Sequence, residues 1–146
     1  MSVVHLMTHD DLPAVLEMAS LLWPSDEPEA LERELISVLD EDEATILVAT
    51  DGDRLVGFAL CRLRHDYVEG TTGSPVGYLE GIYVHEGDRR RHFASEMIGA
   101  FEKWARRMGC REVASDCEIG NVESEALHLA CDFDEANRII CFVKRI

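Results

Sequence analysis

Residues Arg89-Arg90-Arg91-His92-Phe93-Ala94 set three guanidinium groups and an imidazole at the start of a run with helical apolar spacing. Side chains of this kind suit an anion, because guanidinium groups make charge-assisted hydrogen bonds to phosphate oxygens. The first N–H groups of a helix are also free to point at such a ligand. Just upstream, Tyr78-Leu79-Glu80-Gly81-Ile82-Tyr83-Val84 reads as a buried strand whose apolar face is interrupted by one acid, Glu80. Strand, tight turn and helix would then hold a phosphate or pyrophosphate beside a placed carboxylate. A second acid, Asp116, ends the next strand. In open sheets ligands bind beyond the carboxyl ends of parallel strands, so topology brings Glu80 and Asp116 to one crevice. Taken alone, Glu80 is equally well explained as a structural acid paired with an arginine. Taken alone, Asp116 fits slightly better as a cap on the turn before Asn121.

Composition narrows the class. The chain has 146 residues, 47% of them hydrophobic, enough for one domain spanning 1–146 with a real core. Its 14 basic and 29 acidic residues give a net charge of −15, which repels nucleic acid and anionic membrane and attracts cations. Acids crowd Asp26–Glu34, Asp40–Glu43 and Glu118–Glu125, and on charge alone solubility explains them best. No apolar run is long enough to span a bilayer and no signal-peptide pattern opens the chain, so a cytoplasmic location is expected. Cys61, Cys110, Cys117, Cys131 and Cys141 form an odd set without a Cys-x-x-Cys pair. They read as reduced core thiols, not as a disulfide framework or a metal site.

The elements that must position these groups follow from periodicity. Val3–Met7 reads as a strand, and Leu12, Val15, Leu16, Ala19, Leu22 and Trp23 mark a helix stopped at Pro24. Asp26 with Glu29 resembles a capping box for a second helix carrying Leu31, Leu35, Val38 and Leu39. Ala44–Thr50 and Leu55–Arg64 flank Asp51-Gly52, a hairpin signal. Tyr67–Pro75 is a loop and Val76–His85 the central strand. Phe93, Met97, Phe101, Trp104 and Met108 line a long helix that Gly109 ends. Glu112–Asp116 is a strand, Asn121 caps a shorter helix, and Phe133 to Ile146 is expected to give one or two closing strands. The order implies a mixed α/β sheet with a parallel crossover around the long helix.

Arg89 to Ala94 resembles the acetyl-CoA loop of the GCN5-related N-acetyltransferase (GNAT) superfamily, Gln/Arg-x-x-Gly-x-Gly/Ala. The resemblance extends, in order, through Leu21-Leu22-Trp23-Pro24, His65-Asp66-Tyr67-Val68-Glu69-Gly70, Ser74-Pro75-Val76, Leu79 to Val84, Gly109-Cys110-Arg111-Glu112 and Ala114-Ser115-Asp116. These blocks are similar to those of bacterial aminoglycoside 6′-N-acetyltransferases. The resemblance implies a GNAT fold: a central, mostly antiparallel sheet with a splayed parallel strand pair and flanking helices. It implies acetyl-CoA as co-substrate, no metal, a small polycationic amine as acceptor, and commonly a homodimer. The tail Ile139-Ile140-Cys141-Phe142-Val143 could pair or exchange strands with a partner chain, or form an internal strand.

By the same resemblance, backbone groups along Ile82-Tyr83-Val84 would bond the pantetheine arm and the acetyl carbonyl. Arg89, Arg90, Arg91, His92, Phe93, Ala94 and Ser95 would surround the pyrophosphate, and Asn121 would bond the cofactor further along. Trp23, Tyr67, Glu80 and Asp116 would line the drug pocket, with Asp116 as the expected base and Glu80 holding a neighbouring amine or water. His128 lies where many acetyltransferases place the tyrosine that protonates the departing thiolate.

Three positions depart from the family pattern. His92 replaces the loop glycine, Asp132-Phe133 replaces Gly-Phe, and Asn137 replaces an acid of the pocket. His92 either crowds the phosphate or adds a charged contact to it. Two rival readings follow: transfer to another polyamine or protein amine, and a degenerate relative that binds without turnover.

Overall fold

The computed structural model describes residues 2–146. Its elements are β1 (Ser2–Leu6), α1 (Leu12–Leu22), α2 (Pro28–Leu39), β2 (Ala44–Asp51), β3 (Arg54–Arg64), β4 (Val76–Val84), α3 (Phe93–Arg107), β5 (Val113–Ser115) and α4 (Val122–Ala130). The strands form one sheet in the order β1-β2-β3-β4-β5. The first three pairings are antiparallel and β4 with β5 is parallel. The α3 crossover makes that parallel pair possible, as the sequence pattern requires.

Each face of the sheet carries its own core. On one, α3 buries Phe93, Met97, Ile98, Phe101, Trp104 and Ala105 against β2, β3 and β4. On the other, Val15, Met18 and Ala19 of α1 and Leu31, Leu35 and Val38 of α2 cover Ile46, Val48, Phe58 and Leu60. Full burial of one such large side chain contributes roughly 1.5–3 kcal/mol, so these two layers fix the sheet that presents the crevice.

The ends of the elements are set locally. Gly109, at φ +90°, takes the left-handed position after α3. Asn121 Oδ1 accepts from the Ser124 N–H at 3.2 Å, capping α4. The expected capping box at α2 is absent. Pro28 occupies the first turn after Glu27, and no side chain caps the helix. A proline at this position needs no N–H acceptor and is already set to the helical φ, so the box is unnecessary.

The closing strands are also corrected. Among the described residues, 131–146 form no strand, and Ile140, Phe142 and Val143 are 77%, 90% and 82% exposed. The apolar composition of the tail favours a strand, but a strand needs a neighbouring edge, and among the described residues this segment pairs with none.

Gly77 shows how tightly β4 packs on α3. A Cβ there would lie 2.8 Å from Ala105 Cβ and 3.1 Å from Val113 Cγ1. Neither neighbour is the far end of a flexible side chain, so Gly77→Ala should lower the unfolding free energy by about 1–3 kcal/mol. Denaturant titration reads this directly, and an unchanged midpoint would show that the β4–α3 contact is looser than described.

Candidate active site

Strand β4 is the axis of the site. Its pairing with β5 covers only Gly77–Val113, Tyr78–Ala114 and Leu79–Ser115, and among the described residues no strand pairs with that edge from Glu80 to Val84. Its pairing with β3 slips between Leu60 and Cys61, so that Gly81 and Leu79 face consecutive β3 residues and Glu80 is the extra one. A bulge of this kind bends the strand and re-aims a side chain. A Cβ at Gly57 on β3 would lie 2.7 Å from Tyr83 O, so the Tyr83 carbonyl faces β3. By alternation the backbone groups of Ile82 and Val84 face the open edge. Arg89 Nε donates to Val84 O at 2.9 Å, in keeping with that direction. The result is a wedge between β4 and β5 with free backbone groups along one wall.

The wedge leads to the loop before α3. Arg90 and His92 lie in the left-handed region, at φ +64° and +70°. The first intrahelical bond of α3 runs from the Glu96 N–H to His92 O at 3.0 Å. The N–H groups of Phe93, Ala94 and Ser95 therefore have no acceptor within the helix. His92 keeps the backbone form that glycine adopts freely, and its side chain is exposed.

The three arginines divide their work. Arg89 donates to Val84 O and pairs with Glu123 at 3.3 Å. Arg91 pairs with Asp51 at 2.9 Å and with buried Asp88 at 3.1 Å. Asp88 also receives both arms of Arg54 at 2.8 Å. Arg54 beside it holds its carboxyl below the usual carboxylate range, in spite of burial. Among the described residues, Arg90 makes no ion pair. Arg91 and Asp88 thus tie the loop to the β2–β3 hairpin, and Arg90 is left available for an anion beside the backbone N–H groups.

Beyond the wedge stand the acids. Glu80 is held by Arg64, whose NH2 group lies 2.8 Å from both carboxylate oxygens and whose Nε lies 3.2 Å from one. The guanidinium carbon of Arg64 stacks 3.4 Å from the centre of the Tyr78 ring. The Tyr78 hydroxyl donates to Asp116 Oδ2. Burial, then this bond to Asp116, raises the Tyr78 hydroxyl above its usual range. Glu80, Arg64, Tyr78 and Asp116 therefore form one linked row. Burial likewise raises the Cys61 thiol, which makes it a poor nucleophile.

The proposed pocket residues fall in two adjoining spaces. A recess of about 180 Å³ is lined by Trp23, Asp26, Glu34, Leu60, Arg62 and Glu80. A larger cleft of about 1340 Å³ takes in Arg64, Tyr67, Tyr78, Asp116, His128 and Asn137. Arg64 joins the two. Tyr67 is 76% exposed, and Asn137 Nδ2 donates to Glu69 Oε1 at 2.8 Å, which ties the tail to the Tyr67 loop. His128 sits behind the wedge, its Nε2 2.8 Å from Ser115 Oγ. The Asn121 side-chain oxygen Oδ1 is used as the cap of α4.

Sequence reasoning did not single out Arg64, Tyr78, Asp26 or Glu34 for the site. The crowding of acids over Asp26–Glu34 is explained by solubility on charge alone, and only the fold brings Asp26 and Glu34 to the recess. Arg64 and Tyr78 sit on strands in positions that look like ordinary rim and core.

Comparison with known proteins fits this geometry. The Acetyltransferase (GNAT) family model matches residues 12–133, and the chain belongs to that family. It is 39% identical to the aminoglycoside N(6′)-acetyltransferase type 1 of Serratia marcescens, over 99% of each chain. It is 40% identical to that of Stenotrophomonas maltophilia, over 92% of this chain and 88% of the relative. Its fold superposes with TM-score 0.95 and 34% identity on AAC(6′)-Iy in complex with the bisubstrate analogue CoA-S-monomethyl-acetylneamine, covering 100% of this chain and 99% of that one.

Gly81 carries the recess. A Cβ on it would strike the Trp23 ring and lie 3.1 Å from Leu22 Cδ2. Gly81→Ala should displace the indole, raising KM for the cationic acceptor about tenfold or more while coenzyme A affinity, read by calorimetry, stays near wild type. Equal loss of both would show that Gly81 supports the wedge and not the recess.

Proposed function

We propose that this protein transfers the acetyl group of acetyl-CoA to the 6′-amine of aminoglycoside antibiotics and so confers resistance to them. The observation that carries the reading is the wedge: β4 leaves β5 after Leu79, opens on the helix N-terminus at one end and faces Glu80 and Asp116 at the other. Full-length relatives named for this activity support it. Residues 1–146 act as a single catalytic domain.

The chain's own groups fit acetyl-CoA. Backbone groups of Ile82 and Val84 would bond the pantetheine arm, with Tyr83 between them turned to β3. The N–H groups of Phe93 to Ser95, with Arg90, would hold the pyrophosphate, Arg89 and Arg91 fix the loop, and Asn121 borders the same end of α4. Coenzyme A supplies the activated acetyl group. In the acceptor pocket, Trp23 with Glu80 and Asp26 would receive the cationic sugar, and Tyr67 and Asn137 would border it from the larger cleft. Asp116 takes the ammonium proton directly or through water, because an amine must be neutral to attack a thioester. Backbone N–H groups of β4 polarise the carbonyl. Positioning of the two substrates supplies much of the rate.

The degenerate reading draws on His92 and Asp132. Both hold left-handed backbone, at φ +70° and +68°, so the glycine geometry is kept without glycine. That conformation costs of order 1–3 kcal/mol for other residues, and keeping it speaks for a working loop. Transfer to another polyamine has no specific feature in its favour.

Among the described residues no helix is long and apolar enough to cross a membrane. Five free thiols suit the reducing cytoplasm, where we place the protein. A charge of −15 argues against nucleic acid as a partner.

We also propose a homodimer in which the tail of each copy pairs with the other. The exposed run Ile139 to Val143 has strand-forming composition, and the outer edge of β5 has no neighbour within the sheet. In sedimentation, the full chain should run as a dimer and a chain cut after Arg138 as a monomer. A monomeric full chain at micromolar concentration would refute the pairing.

Thiol release tests the main reading. With acetyl-CoA, kanamycin or tobramycin should give steady release, and spermidine or lysine peptides should not. Asp116→Asn should lower kcat about a hundredfold, leaving coenzyme A affinity within about twofold. Equal rates with peptides would reassign the substrate, and an unchanged Asp116→Asn rate would remove that residue from proton transfer.

A further inference from the structure

We infer that Ser115 is the group that protonates the departing thiolate of coenzyme A, with His128 as its proton source. The inference rests on the acetyl-transfer reading above. Ser115 is the last β5 residue paired with β4, at the mouth of the wedge, and is half-buried. Its Oγ lies 3.2 Å from Leu79 O and 2.8 Å from His128 Nε2.

The imidazole is held from three sides. Nδ1 lies 2.7 Å from the Ser124 carbonyl oxygen, with Ser124 Oγ further off at 3.4 Å. Phe133 packs edge-on against the ring, 5.1 Å between centres. A carbonyl oxygen only accepts, so Nδ1 carries a hydrogen, an assignment made from its partner. Nε2 is left facing Ser115.

Counting hydrogens gives the relay. With a neutral ring, Nε2 can only accept, and the single Ser115 hydrogen is contested by Nε2 and Leu79 O. With a protonated ring, Nε2 donates to Oγ and the hydroxyl hydrogen is released to another acceptor. A hydroxyl at the wedge mouth that can be refilled by an imidazolium is a one-proton conduit.

The competing phenol is committed elsewhere, since Tyr78 donates to Asp116. Residues Val122–Ala130 of α4 include no tyrosine, so the ring facing the wedge from that helix is His128.

The step balances. As the acceptor nitrogen bonds the acetyl carbon, the C–S bond breaks and its electron pair leaves on sulfur. Ser115 Oγ gives its proton to sulfur while His128 Nε2 passes its own to Oγ. The ring becomes neutral, still protonated at Nδ1, and takes a proton back from solvent. The proton of the attacking amine departs separately, through Asp116 or water. Ser115 touches the sulfur; His128 acts through Ser115.

The experiment compares Ser115→Ala, Ser115→Thr, His128→Gln and the Ser115→Ala/His128→Gln double variant. Thiol release is followed with saturating acetyl-CoA and kanamycin. Ser115→Ala and His128→Gln should each lower kcat at least about tenfold, with KM for acetyl-CoA within about twofold. The double variant should be no slower than Ser115→Ala alone, because the two act in series. Ser115→Thr should restore most of the rate. A second readout is independent of turnover: the His128 ring ¹⁵N signal, assigned by its loss in His128→Gln, should move when coenzyme A is added to wild type and Ser115→Thr, and stay put in Ser115→Ala. Wild-type turnover in Ser115→Ala, multiplying losses in the double variant, or a raised KM with unchanged kcat would overturn the inference while leaving acetyl transfer standing. A wild type that binds coenzyme A but releases no thiol with any amine would sink the acetyl-transfer reading, and the relay with it.

Discussion

Strand β4 is paired with β3 from Val76 to Val84, interrupted at the Glu80 bulge, and with β5 for only three residues. That asymmetry creates the site. Unpaired strand edges carry a free energy cost unless something meets their polar groups. Here Ser115 Oγ reaches Leu79 O and Arg89 reaches Val84 O. These side-chain contacts satisfy two carbonyls and still leave the wedge open. The bulge at Glu80 does the complementary work on the other edge, re-aiming an acid without breaking the ladder.

Electrostatics separates the two ends of the wedge. Among the described residues, Asp88 is the one buried carboxylate. Removing one partner from such a pair leaves an uncompensated charge, so the Arg54–Asp88–Arg91 contacts bind hairpin and loop into one piece. At the acid end Arg64 is 42% exposed and Glu80 21%. Ion pairs open to solvent contribute only about 0–1 kcal/mol. The guanidinium groups are open to solvent at both ends, and the difference lies in the acids: Asp88 is buried between its two arginines, while Glu80 keeps a face toward the recess.

Much of this was legible in the sequence, for local reasons. The stripe Phe93 to Trp104, the hairpin at Asp51-Gly52, the Gly109 stop and the Asn121 cap each rest on contacts within a few residues, and each appears as expected. What stayed hidden depends on partners distant in sequence. Arg64 meets Glu80 across sixteen positions and Tyr78 meets Asp116 across thirty-eight. Nothing in the residue types says which arginine or which phenol will arrive. The tail failed for a related reason. Its apolar pattern states a preference for pairing, but pattern alone does not supply the edge.

Arg90, His92 and Asp132 carry the last lesson about the loop and its neighbour. All three hold positive φ without being glycine. If local preference ruled, three such residues would relax toward ordinary backbone and the helix starts and stops would shift. They do not, because neighbours on both sides are fixed. Phe93 is buried in the α3 core immediately after His92, and Arg91 is tied to Asp51 and Asp88 immediately before it. Phe133, next to Asp132, packs on His128, and the Phe133 N–H donates to His128 O at 3.0 Å. Strain persists only where surrounding contacts over-determine it. The fold therefore prescribes the dihedral at these positions, and residue identity is free to vary as long as the side chain can point to solvent, as that of His92 does.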